Sequence, residues 1–161
     1  MATTIQFVVY GKPASRGSKT PWNPRRKDGS LVLRQDGRPV IATMDSDKRS
    51  KEWMQEIKSA AVNAYGGELL SGPVILTCKF FFARPKSHFG SGRNANVLKD
   101  TAPEWHTQKP DLSKTTRAIE DALTGIVWRD DSQIVGYGRD YGKYWTDTQS
   151  RVAIEIREIE V

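Results

Sequence analysis

The sequence predicts an α+β fold: a single domain in which a mixed or antiparallel sheet packs against two main helices. Three observations carry this reading. Val74-Ile75-Leu76-Thr77-Cys78-Lys79-Phe80-Phe81-Phe82 is rich in β-branched and aromatic residues, the composition of a central strand. Val152, Ile154, Ile156 and Ile159 alternate with charged residues, the pattern of a strand with one face on a core. Trp53, Ile57, Ala60, Ala61 and Ala64, and again Leu112, Thr116, Ile119 and Leu123, recur at helical spacing. With 161 residues, 37% of them hydrophobic, the chain is long enough to bury a real core as one domain spanning residues 1–161. It shows no internal repeat and no low-complexity linker.

Taken in order, Ile5, Phe7, Val8, Val9 and Tyr10 form a first strand that stops at Gly11-Lys12-Pro13. A basic loop, residues 11–30, follows. Leu31-Val32-Leu33 and Pro39-Val40-Ile41-Ala42 flank Asp36-Gly37, a favoured turn, and predict a small hairpin. Asp45-Ser46-Asp47 offers N-caps for the first helix, which Gly66-Gly67 ends. After Pro73 comes the central strand, then a long insertion, residues 84–110, poor in apolar side chains; loops of that length are usually functional or mobile. A second helix runs from about Ser113 to Thr124 and ends at Gly125. Its apolar residues gather on one face, while Ser113, Arg117, Glu120, Asp121 and Thr124 gather on another. Gln133 to Tyr137 and Arg151 to Val161 supply two further strands. Trp53 and Trp128 read as core residues.

The charge is unevenly placed. Lys and Arg number 25 against 19 Asp and Glu, a net +6, and residues 12 to 51 hold eleven of the basic residues against four acids. Such a concentrated excess points to an acidic partner, nucleic acid first. One cysteine, Cys78, excludes an internal disulfide and a Cys-based zinc site, and two histidines leave any metal to oxygen ligands. No stretch has the length of a membrane span, no signal peptide opens the chain, and Gly11 to Gly17 lacks the Lys-Ser/Thr of a P-loop. A soluble cytoplasmic protein without a nucleotide cofactor is expected.

Five acids, Asp111, Glu120, Asp121, Asp130 and Asp131, fall within 21 residues. The second helix's polar face lies beside both the segment that leads into it and the loop that leaves it, which suggests that they converge. Clustered carboxylates need a hard cation such as Mg²⁺ or positive side chains to neutralise them. Each acid also has a plainer reading: Asp111 as a helix cap, Asp121 as the partner of Arg117, Asp130-Asp131 as a turn.

Lys109-Pro110-Asp111-Leu112-Ser113-Lys114, then Asp121-Ala122-Leu123-Thr124-Gly125, then Asp130-Asp131-Ser132-Gln133 resembles the signature of the RusA family of Holliday junction resolvases. Gly11 to Lys19 resembles the N-terminal strand and basic loop of phage-borne members, and Arg84 to Phe89 their insertion. The resemblance implies metal-dependent phosphodiester hydrolysis on four-way DNA junctions, with Asp111, Asp131 and Asp130 holding Mg²⁺, or Mn²⁺ in its place, and Asp121 matching the family's helix aspartate. Two positions depart from the pattern. Ser113 stands where the family has a second acid, and Arg117 where it has a lysine. Ser113 remains a neutral ligand for the metal. Arg117 keeps a charge that stabilises phosphoryl oxygens but gives up no proton near neutral pH. Lys12, Arg16, Lys19, Arg25, Arg26 and Lys27 in the basic loop, with Lys109 and Lys114, are the expected DNA contacts, while Trp22 and His88-Phe89 are candidates to stack on unpaired bases. His106 is a candidate proton shuttle. Paired incisions related by the junction's two-fold axis, in a chain with one acid cluster, require a homodimer. The alternative reading is a branched-DNA binding protein whose chemistry is weakened at Ser113 and Arg117.

Overall fold

The computed structural model describes residues 3–16, 19–45 and 48–160. In chain order its elements are β1 (Thr4–Tyr10), β2 (Lys19–Trp22), β3 (Ala42–Asp45), α1 (Lys48–Ala64), β4 (Val74–Ala83), α2 (Leu112–Leu123), β5 (Ile134–Tyr137), β6 (Gly142–Thr146) and β7 (Arg151–Glu158). The alternation read along β7 is what organises the sheet. Val152, Ile154 and Ile156 are buried on one face, and β7 lies antiparallel to both β1 and β4. The opposite edge of β4 carries two short strands set end to end, β5 beside its first half and β6 beside its second, both parallel to it. The order is therefore β1-β7-β4-β5, with β6 also on β4. This is the predicted mixed sheet with two main helices.

Gly138 makes the step between β5 and β6 possible. Its N–H bonds Leu76 O at 3.0 Å, and a Cβ there would land on Thr77 Oγ1. Both helices lie on one face of the sheet. Trp53, Ile57 and Ala61 of α1 and Ile119 and Leu123 of α2 meet Val74, Leu76, Cys78, Phe80 and Phe82 of β4 in one cluster. Each large apolar side chain buried there contributes about 1.5–3 kcal/mol against the entropy of ordering the chain. Trp128 is fully buried below the end of α2, its indole N–H bonded to Thr124 Oγ1 at 3.2 Å. Gly125, at φ +79°, turns the chain there.

Several expectations are corrected. The basic loop is partly built: β2 and β3 form an antiparallel ribbon within and beyond it. Inside the ribbon the predicted small hairpin around Asp36-Gly37 is present: Leu33 and Pro39 bridge across it, Arg34 N donates to Arg38 O and Val40 N to Val32 O, each at 2.8 Å, and a further bridge, Arg25–Leu31, stands beside it. The cap residues Ser46 and Asp47 lie outside the described residues. At the far end of α1 no left-handed glycine stops the helix. Instead Tyr65 folds over Gly67 and donates to Glu68 O at 2.6 Å. Among the described residues no helix is long and apolar enough to cross a membrane.

Residues 84–110 are mostly exposed but are tied by backbone bonds of their own and docked on the sheet at Trp105 and His106. Trp105 bridges to Tyr144, which lengthens the sheet by one residue pair. His106 is only 6% exposed, and its ring stacks 3.9 Å from that of Phe82 and 4.3 Å from that of Trp145. Its Nδ1 is buried without a partner. The ring is thus held as part of the packing between the inserted segment and the sheet. Burial, aided by the Lys143 charge, lowers the His106 pKa below its ordinary 6.5. The unfolded chain therefore takes up a proton that the folded one refuses, so stability holds above about pH 6.5 and falls as the solution is acidified. Thermal melts at pH 7.5 and pH 5.5 should show a larger loss for the native protein than for His106→Phe. Equal losses would remove His106 as the cause.

Candidate active site

Lys109-Pro110 cannot continue a helix, so the chain turns there and α2 starts at the next residue but one. Asp111 is the N-cap residue by backbone geometry, yet its side chain makes no capping bond. Its carbonyl accepts from both Thr115 N, at 3.0 Å, and Thr115 Oγ1, at 2.8 Å. The Asp111 carboxylate is left half-exposed, 3.4 Å from Lys114 Nζ. It opens into a cleft of about 470 Å³ lined by Lys12, Ser15, Arg16, Arg49, Lys109 and Lys114. Five cations around one carboxylate make the cleft strongly attractive to phosphate. Behind it Lys143 of β6 donates to Gln108 O at 2.6 Å and Pro110 O at 2.7 Å, pinning the turn that carries Asp111. Partial burial draws the Lys143 pKa down, and the Asp111 charge opposes that shift.

At the other end of α2 a pair of carboxylates is held differently. Asp130 caps a short 3₁₀ turn, Asp131–Gln133, and accepts from Ser132 N at 2.9 Å. Hydrogen bonding from the Ser132 side chain, and then from its backbone N–H, keeps the Asp130 carboxyl below its usual range. Gln133 anchors the turn: its Oε1 accepts from Arg129 N and Asp130 N at 2.9 and 3.1 Å, and its Nε2 donates to Leu70 O and Gly72 O at 2.9 and 3.0 Å. All four hydrogen-bonding positions of one amide are filled. Asp131 stands exposed beside it.

Between the ends, α2 turns Arg117 to solvent. Glu120 accepts from Tyr137 Oη at 2.7 Å, and Tyr141 Oη meets Thr116 Oγ1 at 2.7 Å, so the chain from β5 to β6 runs back along α2. Asp121 binds the guanidinium of Arg16, not that of Arg117, and Arg16 N donates to Lys114 O at 3.2 Å. The basic loop is thus fastened to the flank of the helix.

The structure separates what the spacing seemed to gather. The segment leading into α2 and the turn leaving it lie at opposite ends of a 12-residue helix, which is about 18 Å long. Among the described residues no three of His, Cys, Asp and Glu stand close enough to hold a metal ion. The oxygen donors themselves, Asp111 with exposed Ser113 at one end and Asp130 with Asp131 at the other, are of the hard type that Mg²⁺ takes. Each end offers two such side chains, which leaves most of an octahedral ion's six positions to other ligands. Lys12, Arg16, Lys109 and Lys114 do gather, at Asp111. Arg25, Arg26 and Lys27 are exposed beyond β2, near Trp22, which is 48% exposed, and the side chain of Lys19 lies outside the described part. His88 packs edge-on against Trp145, and Phe89 bridges to Leu98. Sequence reasoning missed Arg49, counted in the basic stretch but not singled out, and Lys143, whose reach to residues 108 and 110 no local pattern announces.

Over residues 21–157 the chain matches the family described as Endodeoxyribonuclease RusA. It is 28% identical over 158 residues to a Bacillus subtilis (strain 168) protein described as "Uncharacterized protein YqaN", with 96% of each chain covered. The matched stretch holds Asp111, α2, Asp130, Asp131 and the Gln133 anchor, and on that match the chain belongs to the RusA endodeoxyribonuclease family.

Proposed function

We propose that the protein is a divalent-cation-dependent endonuclease that resolves four-way DNA junctions as a homodimer, acting on DNA in the cytoplasm. One observation carries the reading: an exposed carboxylate in a basic cleft, Asp111, stands at one end of α2 and an exposed pair, Asp130 and Asp131, beyond the other. A two-fold pair of chains is the arrangement in which both ends serve one site, Asp111 and Ser113 from one chain with Asp130 and Asp131 from the other. Two such sites then face the two strands that a junction must lose.

Mg²⁺, or Mn²⁺ in its place, would be held by these oxygens and supplies Lewis acidity toward the scissile phosphate and its attacking water. The chain's own groups do the rest. Lys12, Lys109, Lys114 and Arg49 draw the DNA backbone into the cleft at Asp111, giving affinity that carries no sequence information. Arg16 is aimed there by Asp121, whose carboxylate is therefore spent on positioning rather than on a metal. Arg117 presents a permanent charge to phosphoryl oxygens. Lys143 holds the turn behind Asp111. Lys19, Arg25, Arg26 and Lys27, on and beyond β2, extend the contact to more distant phosphates.

A second reading, a branched-DNA binder with weakened chemistry, is favoured by Ser113, which brings an oxygen but no charge. A labelled synthetic four-way junction separates the two. Paired nicks in strands of like polarity with Mg²⁺, and none with chelator, are expected. A band shift without cleavage under either condition would establish the binder.

A further inference from the structure

The face of the sheet turned away from α1 and α2 carries a row of rings. Tyr10 of β1 pairs in register with Arg151 of β7, Arg151 with Phe81 of β4, Phe81 with Tyr144 of β6, and Tyr144 with Trp105 of the inserted segment. These five neighbours lie one residue out of step with Val9, Val152, Phe80 and Phe82, which are buried under the helices, so they project from the opposite surface. The Arg151 guanidinium carbon lies 4.3 Å from the Phe81 ring centroid. The Phe81 and Tyr144 rings are 5.6 Å apart and those of Tyr144 and Trp105 4.8 Å apart. At either end Tyr10 is 58% and Trp105 53% exposed. Strands spaced about 4.8 Å apart make the row about 19 Å long.

The row is braced. Arg151 donates to Thr148 Oγ1 at 2.9 Å and Gln149 O at 3.1 Å, and Tyr144 Oη donates to Asp140 O at 2.9 Å. Beside the row the same face hollows into a trough of about 580 Å³ bordered by Lys79, Arg139, Arg157, Asp140 and Glu155. With Arg151 this makes four cations against two carboxylates. Asp140 is already taken by Lys79 at 3.2 Å, and Glu155 accepts from Gln6.

We propose that this sheet face binds single-stranded DNA, with unpaired bases stacking on Trp105, Tyr144 and Tyr10 and phosphates lying along Arg151, Arg139 and Arg157. Aromatic rings stack on any base and basic residues follow the backbone, so such a surface is tolerant of sequence. A second copy is a poorer occupant, because two such faces would set cations against cations. The surface is separate from the acids at the ends of α2 and goes beyond junction cleavage; only the choice of DNA over RNA rests on the family. It would hold an arm or product strand whose bases are open.

Anisotropy of labelled dT12 and rU12 in chelator tests this without requiring cleavage. Native protein should bind dT12, and Trp105→Ala and Tyr10→Ala should each weaken binding on the order of tenfold. Both side chains are exposed, so melting temperatures should stay unchanged, and Mg²⁺-dependent cutting of a fully paired junction should also stay unchanged in Trp105→Ala. Ring-dependent dT12 binding in a protein that cuts no junction would uphold this proposal while sinking the nuclease reading. Native protein that ignores dT12, or variants that bind it as tightly as native, would overturn it, as would tighter binding of rU12. Sedimentation showing that either variant turns a dimer into a monomer would make the face a protein interface and overturn it too.

Discussion

Mixing Asp111→Asn chains with Asp131→Asn chains, after subunit exchange, restores junction cleavage that neither variant has alone. The expectation follows from the acids' placement at opposite ends of α2. If each site takes one end from each chain, a mixed dimer concentrates both lesions in one site and leaves the other native. If each site belonged to a single chain, every site in the mixture would carry a lesion. Either variant alone should lose activity on the order of 10³-fold, the scale of losing several kcal/mol of transition-state stabilisation. Asp131→Asn alone should bind the junction at least as well as native, because it removes a negative charge that faces DNA. Recovery should yield mainly single nicks, read on denaturing gels. A mixture as inactive as its parents would place all the acids of a site in one chain.

Gln133→Ala should unfold at a temperature lower by roughly 5–12 °C. Its four bonds to main-chain groups of residues 70, 72, 129 and 130 contribute about 1 kcal/mol each, less some recovery by water, and a chain of this size shifts roughly 2–4 °C per kcal/mol. Cleavage should fall further than stability explains, because the Asp130-Asp131 turn loses its anchor. Gln133→Glu is the sharper variant. It keeps the oxygen that accepts from Arg129 and Asp130 but sets a carboxylate against the carbonyls of Leu70 and Gly72, so it should fail to rescue. A Glu variant that melts like native would show that the carbonyl contacts carry no weight.

Where the chain's pattern is local, the sequence was readable. Trp53, Ile57 and Ala61 marked α1, Ile119 and Leu123 marked α2, and β1, β4 and β7 followed from alternation or from β-branched runs. β6 escaped because Gly142 to Thr146 shows no alternation: its rings serve both faces, Tyr144 one and Trp145 the other. β2 escaped because Lys19-Thr20-Pro21-Trp22 reads as a loop until β3, some twenty residues on, pairs with it. The acid residues were legible as types and their meeting point was not. The helix's polar face was visible, but the fact that its two flanking segments sit a helix length apart is a property of the path through β5 and β6. The fastening of Arg16 to Asp121 likewise depends on contacts 105 residues apart.

The place of β7 bears on how the protein is made. It follows the other described strands in the chain, yet it sits between β1 and β4 and pairs with both along nearly their whole length. Until it is made, β1 lacks this partner, and one edge of β4 stands open beside Cys78, Phe80 and Phe82. The sheet cannot close strand by strand in chain order during synthesis, as chains that fold part by part do. A nascent chain that lacks β7 exposes an apolar edge that invites pairing with other chains.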